Sequence, residues 1–254
     1  MDLGLKGKVA LVTGAGSQIG FGKQIALLLA KEGCDAVAVT DIIDDVKLTA
    51  EEIKKLGKKS IAIKADITNR DEVQAMVKKV VEEFKKIDIL CNVAGGIASR
   101  VPYDQAKPAD WDKDIHLNLY SIMLTCQTAL PYMKEKKSGA IINIGSGSTR
   151  MYGHGAGNTY AIAKAGVDTF TKQLAFNEAK NGIRCNCVAP GPAPTNFIPG
   201  PDKKGIVDMM AKTIPMGRGA TQADIANATA FFASEMSSYI TGAVLHVSGG
   251  SVLD

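Results

Sequence analysis

The sequence predicts an α/β fold: one doubly wound parallel sheet of about seven strands, with helices on both faces. Three observations predict it. Short β-branched runs alternate with longer amphipathic stretches from end to end. Several of the runs are apolar without interruption, as strands buried on both faces must be. Glycine is abundant, 26 of 254 residues, while aromatics are scarce at 6%. That balance suits tight strand–helix turns and aliphatic packing of helices on a sheet.

The first strand is expected at Val9–Thr13, followed by the turn Gly14-Ala-Gly-Ser-Gln-Ile-Gly20-Phe-Gly22 and the helical stretch Lys23–Lys31. A glycine turn between a strand and a helix N-terminus is an anion site. Unused backbone N–H groups and the helix dipole face a phosphate, and glycine lets the backbone come close. This is the Rossmann-type arrangement. The second strand, Ala36–Thr40, runs into Asp41, 19 residues past Gly22. A carboxylate there can accept hydrogen bonds from both hydroxyls of an adenosine ribose. It would also repel a 2′-phosphate, and Ile42 offers no cation to hold one. NAD is therefore the expected cofactor.

The alternation continues with helix Lys47–Leu56, strand Ser60–Lys64, helix Arg70–Phe84 and strand Ile87–Asn92. One long helical stretch, Asp110–Lys136, precedes strand Ala140–Ile144. Helix Thr159–Lys180 and strand Arg184–Val188 come next. Pro190–Thr213 holds five of the nine prolines and reads as a long mobile loop, which at that length is usually functional. Helix Gln222–Ala233 and strand Val244–Val247 complete the series.

Tyr160 and Lys164 share one face of their helix at i, i+4 spacing, with the small Ala161 and Ala163 between. A free tyrosine titrates near pH ~10 and is a poor acid–base group at neutral pH. A neighbouring ammonium favours the phenolate, so Lys164 is expected to pull that value down.

Composition narrows the partners. The net charge of +4 is small and dispersed, which argues against a nucleic-acid groove. No apolar run approaches a membrane span. The five cysteines are odd in number and no signal-peptide pattern precedes them, so a cytoplasmic protein is expected. Cys185 and Cys187 read as small apolar residues on one strand face. His116, His154 and His246 show no metal-ligand spacing, and no metal site is expected.

Taken together, these motifs resemble the short-chain dehydrogenase/reductase family, in its branch of about 250 residues with Tyr-x3-Lys. Asn92-Val-Ala-Gly95 is similar to the family's Asn-Asn-Ala-Gly motif. Asn118 matches its helical asparagine, Ser146 its catalytic serine, Tyr160 and Lys164 its catalytic pair, and Pro190-Gly191 with Thr195 the motif after the sixth strand. Tyr239–Gly250 resembles the family's last strand. The match runs from Gly14 to Gly250, which leaves room for one domain over 1–254 and no separate substrate domain.

The resemblance implies roles. Tyr160 acts as general acid/base, Lys164 tunes it and binds the nicotinamide ribose, Ser146 steadies the substrate oxygen, and Asn118 continues a proton relay. Gly14, Ser17, Gln18, Gly20, Phe21 and Gly22 line the pyrophosphate side. Asp41 takes the ribose, and Asp66 and Ile67 flank adenine. Asn92, Ala94 and Gly95 pass under the cofactor, and Pro190, Gly191 and Thr195 hold its carboxamide end. The implied activity is NAD(H)-dependent interconversion of a secondary alcohol and a ketone. A homotetramer is implied as well. The alternative is a catalytically silent nucleotide-binding partner subunit.

The chain departs from the pattern in places. Five residues separate Gly14 from Gly20 where the family has three. Val93 and Ser248 replace an asparagine and an aspartate. Enoyl reductases of the family place their tyrosine seven residues before the lysine; here that position is Gly157. Ser148 competes with Ser146, which is preferred because it directly follows its strand. Arg150, Met151, Tyr152 and His154 are candidate specificity residues. Arg150 and the Lys203–Lys204 pair suit an anionic substrate such as a hydroxyacyl-CoA thioester; a cyclic or aromatic alcohol is the other substrate reading.

Overall fold

The computed structural model describes residues 2–98, 100–151 and 158–253. Seven parallel strands form one sheet in the order β3-β2-β1-β4-β5-β6-β7. They are β1 Val9–Thr13, β2 Ala36–Asp41, β3 Lys59–Lys64, β4 Ile89–Asn92, β5 Gly139–Ile144, β6 Ile183–Pro190 and β7 Val244–Val247. The order reverses between β1 and β4. In open sheets of this kind the crevice at the carboxyl ends of those two strands is where ligands bind.

The helices are α1 Phe21–Lys31, α2 Val46–Lys55, α3 Arg70–Phe84, α4 Pro108–Ile115, α5 Ser121–Lys136, α6 Asn158–Glu178, α7 Lys203–Ala211 and α8 Gln222–Ala233. Alternate residues of each strand feed two cores. Ala10, Val12, Val37 and Val39 meet α1, α2 and α8 through Ile25, Leu29, Ile53 and Ile225. Val9, Leu11, Ala36 and Ala38 meet α3, α5 and α6 through Val77, Val80, Ile122 and Val167. Period-two side chains on a sheet covered on both faces give this division directly. Cys185 and Cys187 lie in the second core as free thiols, on one face of β6.

Two expectations are corrected. The stretch Asp110–Lys136 is α4 and α5 joined by a π-helical turn, His116–Tyr120. The segment Pro190–Thr213 is not one loop, since α7 occupies Lys203–Ala211. Its start is fixed by Asp202, whose side chain accepts from the Gly205 amide. Lys203 and Lys204 therefore belong to a helix. Lys203 donates to the Ile198 and Gly200 carbonyls, and Lys204 pairs with Asp208 one turn on.

Candidate active site

The nucleotide side is made largely of backbone. Gly14 has φ +67°, and a Cβ there would lie 2.6 Å from Ala94 Cα. A Cβ on Gly22 would collide with the Gly14 carbonyl, and one on Gly20 would lie 2.9 Å from Ser17 Cβ. Helix α1 begins at Gly20 with no side-chain cap, whereas Asn69 caps α3 and Thr221 caps α8. The first N–H groups of α1 are thus left to the crevice. Thr13 Oγ1 accepts from the Val93 and Ala94 amides at 2.9 and 3.1 Å, tying the ends of β1 and β4 together. A cradle that Cβ atoms would fill, an uncapped helix start and a carboxylate at the end of β2 fit a dinucleotide.

The long loop is braced from within. Asp41 Oδ2 accepts from Gly16 N at 2.7 Å and Oδ1 from Ile43 N at 3.3 Å. A carboxylate with two amides still has acceptor sites to offer. Gln18 donates to the Gly16 and Asp45 carbonyls and accepts from Lys23, so both ends of its amide are committed. Phe21 packs against the first core. Ser17 Oγ accepts from Asn196 Nδ2 at 3.0 Å, which draws the segment after β6 across the crevice. Asp66 is engaged by Thr68, and Ile67 is buried.

On the catalytic side, three elements converge. Tyr160 and Lys164 come from α6, Ser146 from the end of β5, and Asn118 from the π turn. Asn118 is fully buried and clamps Gly96 in both directions, its Oδ1 accepting from Gly96 N at 3.0 Å and its Nδ2 donating to Gly96 O at 2.8 Å. A π turn re-aims a side chain without ending the helix, and such turns concentrate at functional sites. A Cβ on Gly95 would lie 2.8 Å from Asn118 Oδ1 and 3.3 Å from Lys164 Nζ, which explains that glycine. Ser146 Oγ accepts from Ser148 N and Oγ at 3.1 and 2.8 Å. Ser148 thus stands behind Ser146.

Lys164 Nζ donates to the Ile144 carbonyl at 2.7 Å and lies 5.8 Å from the Tyr160 ring centre. Burial pulls its pKa down to about 8, against the opposing pull of Cys187 and Asp168. The expected lowering of the tyrosine is corrected: burial pushes the Tyr160 phenol up to about 12, the hydrogen bond with Ser146 offsets part of this, and Asp114 adds to it. Removing the charged form from water outweighs the neighbouring hydroxyl.

Three neighbours were missed from sequence. The Phe197 ring lies 5.2 Å from the Tyr160 ring. Arg100 sits 5.9 Å from the Phe197 ring centre and donates to its carbonyl at 3.1 Å. Asn143 holds Asn92 Nδ2 at 2.9 Å inside the sheet, while Thr125 donates to Asn92 Oδ1. The Asn92 side chain is therefore spent in the interior, leaving its backbone to the crevice. A Cβ on Gly191 would lie 2.9 Å from Ser248 Cα, so that glycine serves the approach of β7. Gly191 N donates to the Val247 carbonyl, Pro190 ends β6, and Thr195 is buried with its Oγ1 accepting from Phe197 N.

Arg150, with Asp168, Lys172 and His246, lines a cavity of about 620 Å³ behind α6. Tyr152, His154 and Gly157 lie outside the described residues. No helix among the described residues is long and apolar enough to cross a membrane. No group of three or more His, Cys, Asp or Glu among them is placed to hold a metal ion.

Comparison with known proteins bears on this geometry. A family model described as enoyl-(acyl carrier protein) reductase matches residues 14–251. A 3-oxoacyl-acyl-carrier-protein reductase, FabG, of Staphylococcus epidermidis is 40% identical, over 96% of this chain and 98% of that enzyme. BbsD of Thauera aromatica, a subunit of a hydroxy(phenyl)methylsuccinyl-CoA dehydrogenase, is 38% identical over 99% of each chain. Among solved structures, a 7α-hydroxysteroid dehydrogenase complexed with NADH and 7-oxo glycochenodeoxycholic acid matches with a TM-score of 0.91. It is 33% identical and the match covers 100% of this chain and 97% of that one.

Proposed function

Because the chain belongs to the short-chain dehydrogenase/reductase family, as an oxidoreductase, we propose that it interconverts a secondary alcohol and a ketone with NAD(H). The observation that carries the reading is the convergence of Tyr160, Ser146, Lys164 and Asn118 beside a glycine cradle ending at Asp41. A bound nicotinamide supplies or takes a hydride at its C4 carbon. The chain's own residues do the rest.

Tyr160 moves the proton. With its phenol pushed up to about 12 by burial, it holds that proton at neutral pH and can give it to a carbonyl oxygen as the ketone is reduced. Ser146 steadies the charge that develops on that oxygen. Lys164 would hold the nicotinamide ribose and supports Tyr160, and Asn118 holds the Gly95–Gly96 turn and would continue the proton relay. Gly14, Gly20 and Gly22 receive the pyrophosphate, Asp41 the adenosine ribose and Thr195 the carboxamide. Tyr160 stands four residues before Lys164, which supports carbonyl chemistry over enoyl reduction.

The relatives are named for an oxoacyl thioester, a hydroxyacyl-CoA and an oxo bile acid. Phe197 over Tyr160 and Arg100 beyond it support an acyl thioester or another acid-bearing ketone. A panel of oxoacyl-CoA compounds and neutral cyclic ketones, followed by NADH absorbance, tests this. Turnover of neutral ketones far above every thioester and acid overturns the substrate reading. Tyr160→Phe is expected to lower turnover by about 10³-fold while NADH still binds. Unchanged turnover in that variant would favour the silent-subunit alternative or another proton donor.

A further inference from the structure

One helical turn behind Lys164, on the same face of α6, stands Asp168. Its Oδ1 accepts from the Cys187 thiol at 3.5 Å. Both groups sit directly under Gly145, where a Cβ would lie 2.6 Å from Cys187 Sγ and 3.1 Å from Asp168 Oδ1. Gly145 joins Ile144, whose carbonyl holds Lys164 Nζ, to Ser146, which bonds Tyr160. Asp168 shares the cavity behind α6 with Thr149, which stands in the short helical turn after Ser146 and donates its hydroxyl to the Ser146 carbonyl. The carboxylate thus touches β6 and the Ser146 turn at once, and its charge reaches Lys164.

We propose that Asp168 is a positioning residue for the reaction, a half-buried counter-charge that keeps Lys164 protonated and holds the Ser146 turn beneath it. The inference rests on the roles proposed above for Lys164 and Tyr160. The groups facing this pair are few. On α6 they are Tyr160 and, beyond Asp168, Lys172; on β6 there is Cys187, on β7 His246, beside Tyr160 there is Asp114, and after the Ser146 turn there is Arg150, which lines the cavity with Asp168. Burial drives the Lys164 ammonium toward losing its proton, and Cys187 and Asp168 oppose it; of the two, Asp168 is the one that is charged at neutral pH, because burial pushes the Cys187 thiol far above its ordinary value. Burial pushes the Asp168 carboxyl above its ordinary value, and donation from Cys187, the neighbouring Thr149 and the charges of His246 and Lys172 offset part of this in favour of the ionised form. The cavity of about 620 Å³ behind α6 admits water to its outer side.

The test is the pH dependence of kcat/KM for wild type, Asp168→Asn and Asp168→Glu, alongside an NMR titration of lysine side chains in the cofactor-free protein. Removing a neighbouring negative charge lowers an ammonium pKa, so the alkaline limb in Asp168→Asn should fall by about one pH unit. The Lys164 titration should move with it, and Asp168→Glu should restore both. Asp168→Ser carries the same expectation should the Asn variant misfold. An active, folded Asp168→Asn with an unmoved limb and an unmoved Lys164 titration overturns the inference. A wild type without nicotinamide-linked turnover overturns the function proposed above instead, and the NMR titration then decides the role of Asp168 by itself.

Discussion

Between Val9 and Asp41 the site is built of backbone; between Gly95 and Phe197 it is built of buried side chains. The first region spends glycines and an uncapped helix start, and its one essential side chain, Asp41, is only partly covered. The second buries a phenol, an ammonium and a carboxamide together. Backbone N–H groups cost little to present, because they are there in any fold. A charged side chain withdrawn from water does carry a cost, visible as a lysine lowered to about 8; the Tyr160 phenol, pushed up to about 12, stays neutral and bears no such cost at neutral pH. The two regions should therefore fail differently: the first when something is added, the second when something is taken away.

Gly22→Ala is the sharpest addition. Its Cβ would strike the Gly14 carbonyl, a backbone atom that cannot rotate away. Overpacking of this kind costs about 1–3 kcal/mol of stability. Displacement of the phosphate turn by a comparable ~2 kcal/mol should weaken NADH binding about 30-fold. Calorimetry and a thermal melt read both. Normal NADH affinity would show that the turn yields, and the contrast between the regions would collapse.

The same contrast explains what the sequence could disclose. Gly14, Gly20, Gly22 and Asp41 lie within one βαβ unit, so spacing alone relates them. Tyr160 and Lys164 were legible because a helix fixes their spacing. Phe197 and Arg100 were not, since they meet over 97 positions of chain through folding of the segment after β6. Asn143 was hidden for a related reason: only pairing of β4 with β5 brings it beside Asn92. The π turn at His116–Tyr120 leaves no mark in hydrophobic period, and α7 was masked by the prolines before it. Burial misled as well. The i, i+4 pair suggested a lowered tyrosine, but local spacing carries no measure of desolvation.

Asp41→Ala removes a side chain from the backbone region and should have a smaller effect. The carboxylate is proposed to hold the ribose hydroxyls, charge-assisted bonds worth about 1.5–3 kcal/mol. Its loss should lower kcat/KM with NADH about tenfold and raise relative activity with NADPH. Part of the loss will come from the Gly16 amide, which gives up its 2.7 Å acceptor. Paired assays with both coenzymes separate the terms, because a loosened loop weakens both and a lost ribose contact weakens one. A wild type that prefers NADPH would show that Asp41 has been misread.

Lys164→Met, though inactive, should give the smallest change in free energy, and in the opposite direction: a protein that is more stable. Folding lowers the lysine from 10.5 to about 8. Below pH ~8 both folded and unfolded chains carry the proton, so the native state bears the full cost of a buried charge. Between about 8 and 10.5 the native state releases the proton first, and the cost fades. At about 1.4 kcal/mol per unit the charge costs roughly 3 kcal/mol at neutral pH. The Ile144 carbonyl left without its donor returns about 1–2 kcal/mol of that. Lys164→Met should therefore gain about 1–2 kcal/mol at pH 7, and the gain should fall to zero between about pH 9 and 10 and turn into a small loss above that, where only the orphaned carbonyl is left. Denaturant melts at pH 7 and 10 measure it. A variant no more stable than wild type at neutral pH would mean that the catalytic side holds its charges without penalty, and that the two regions differ only in which atoms they use.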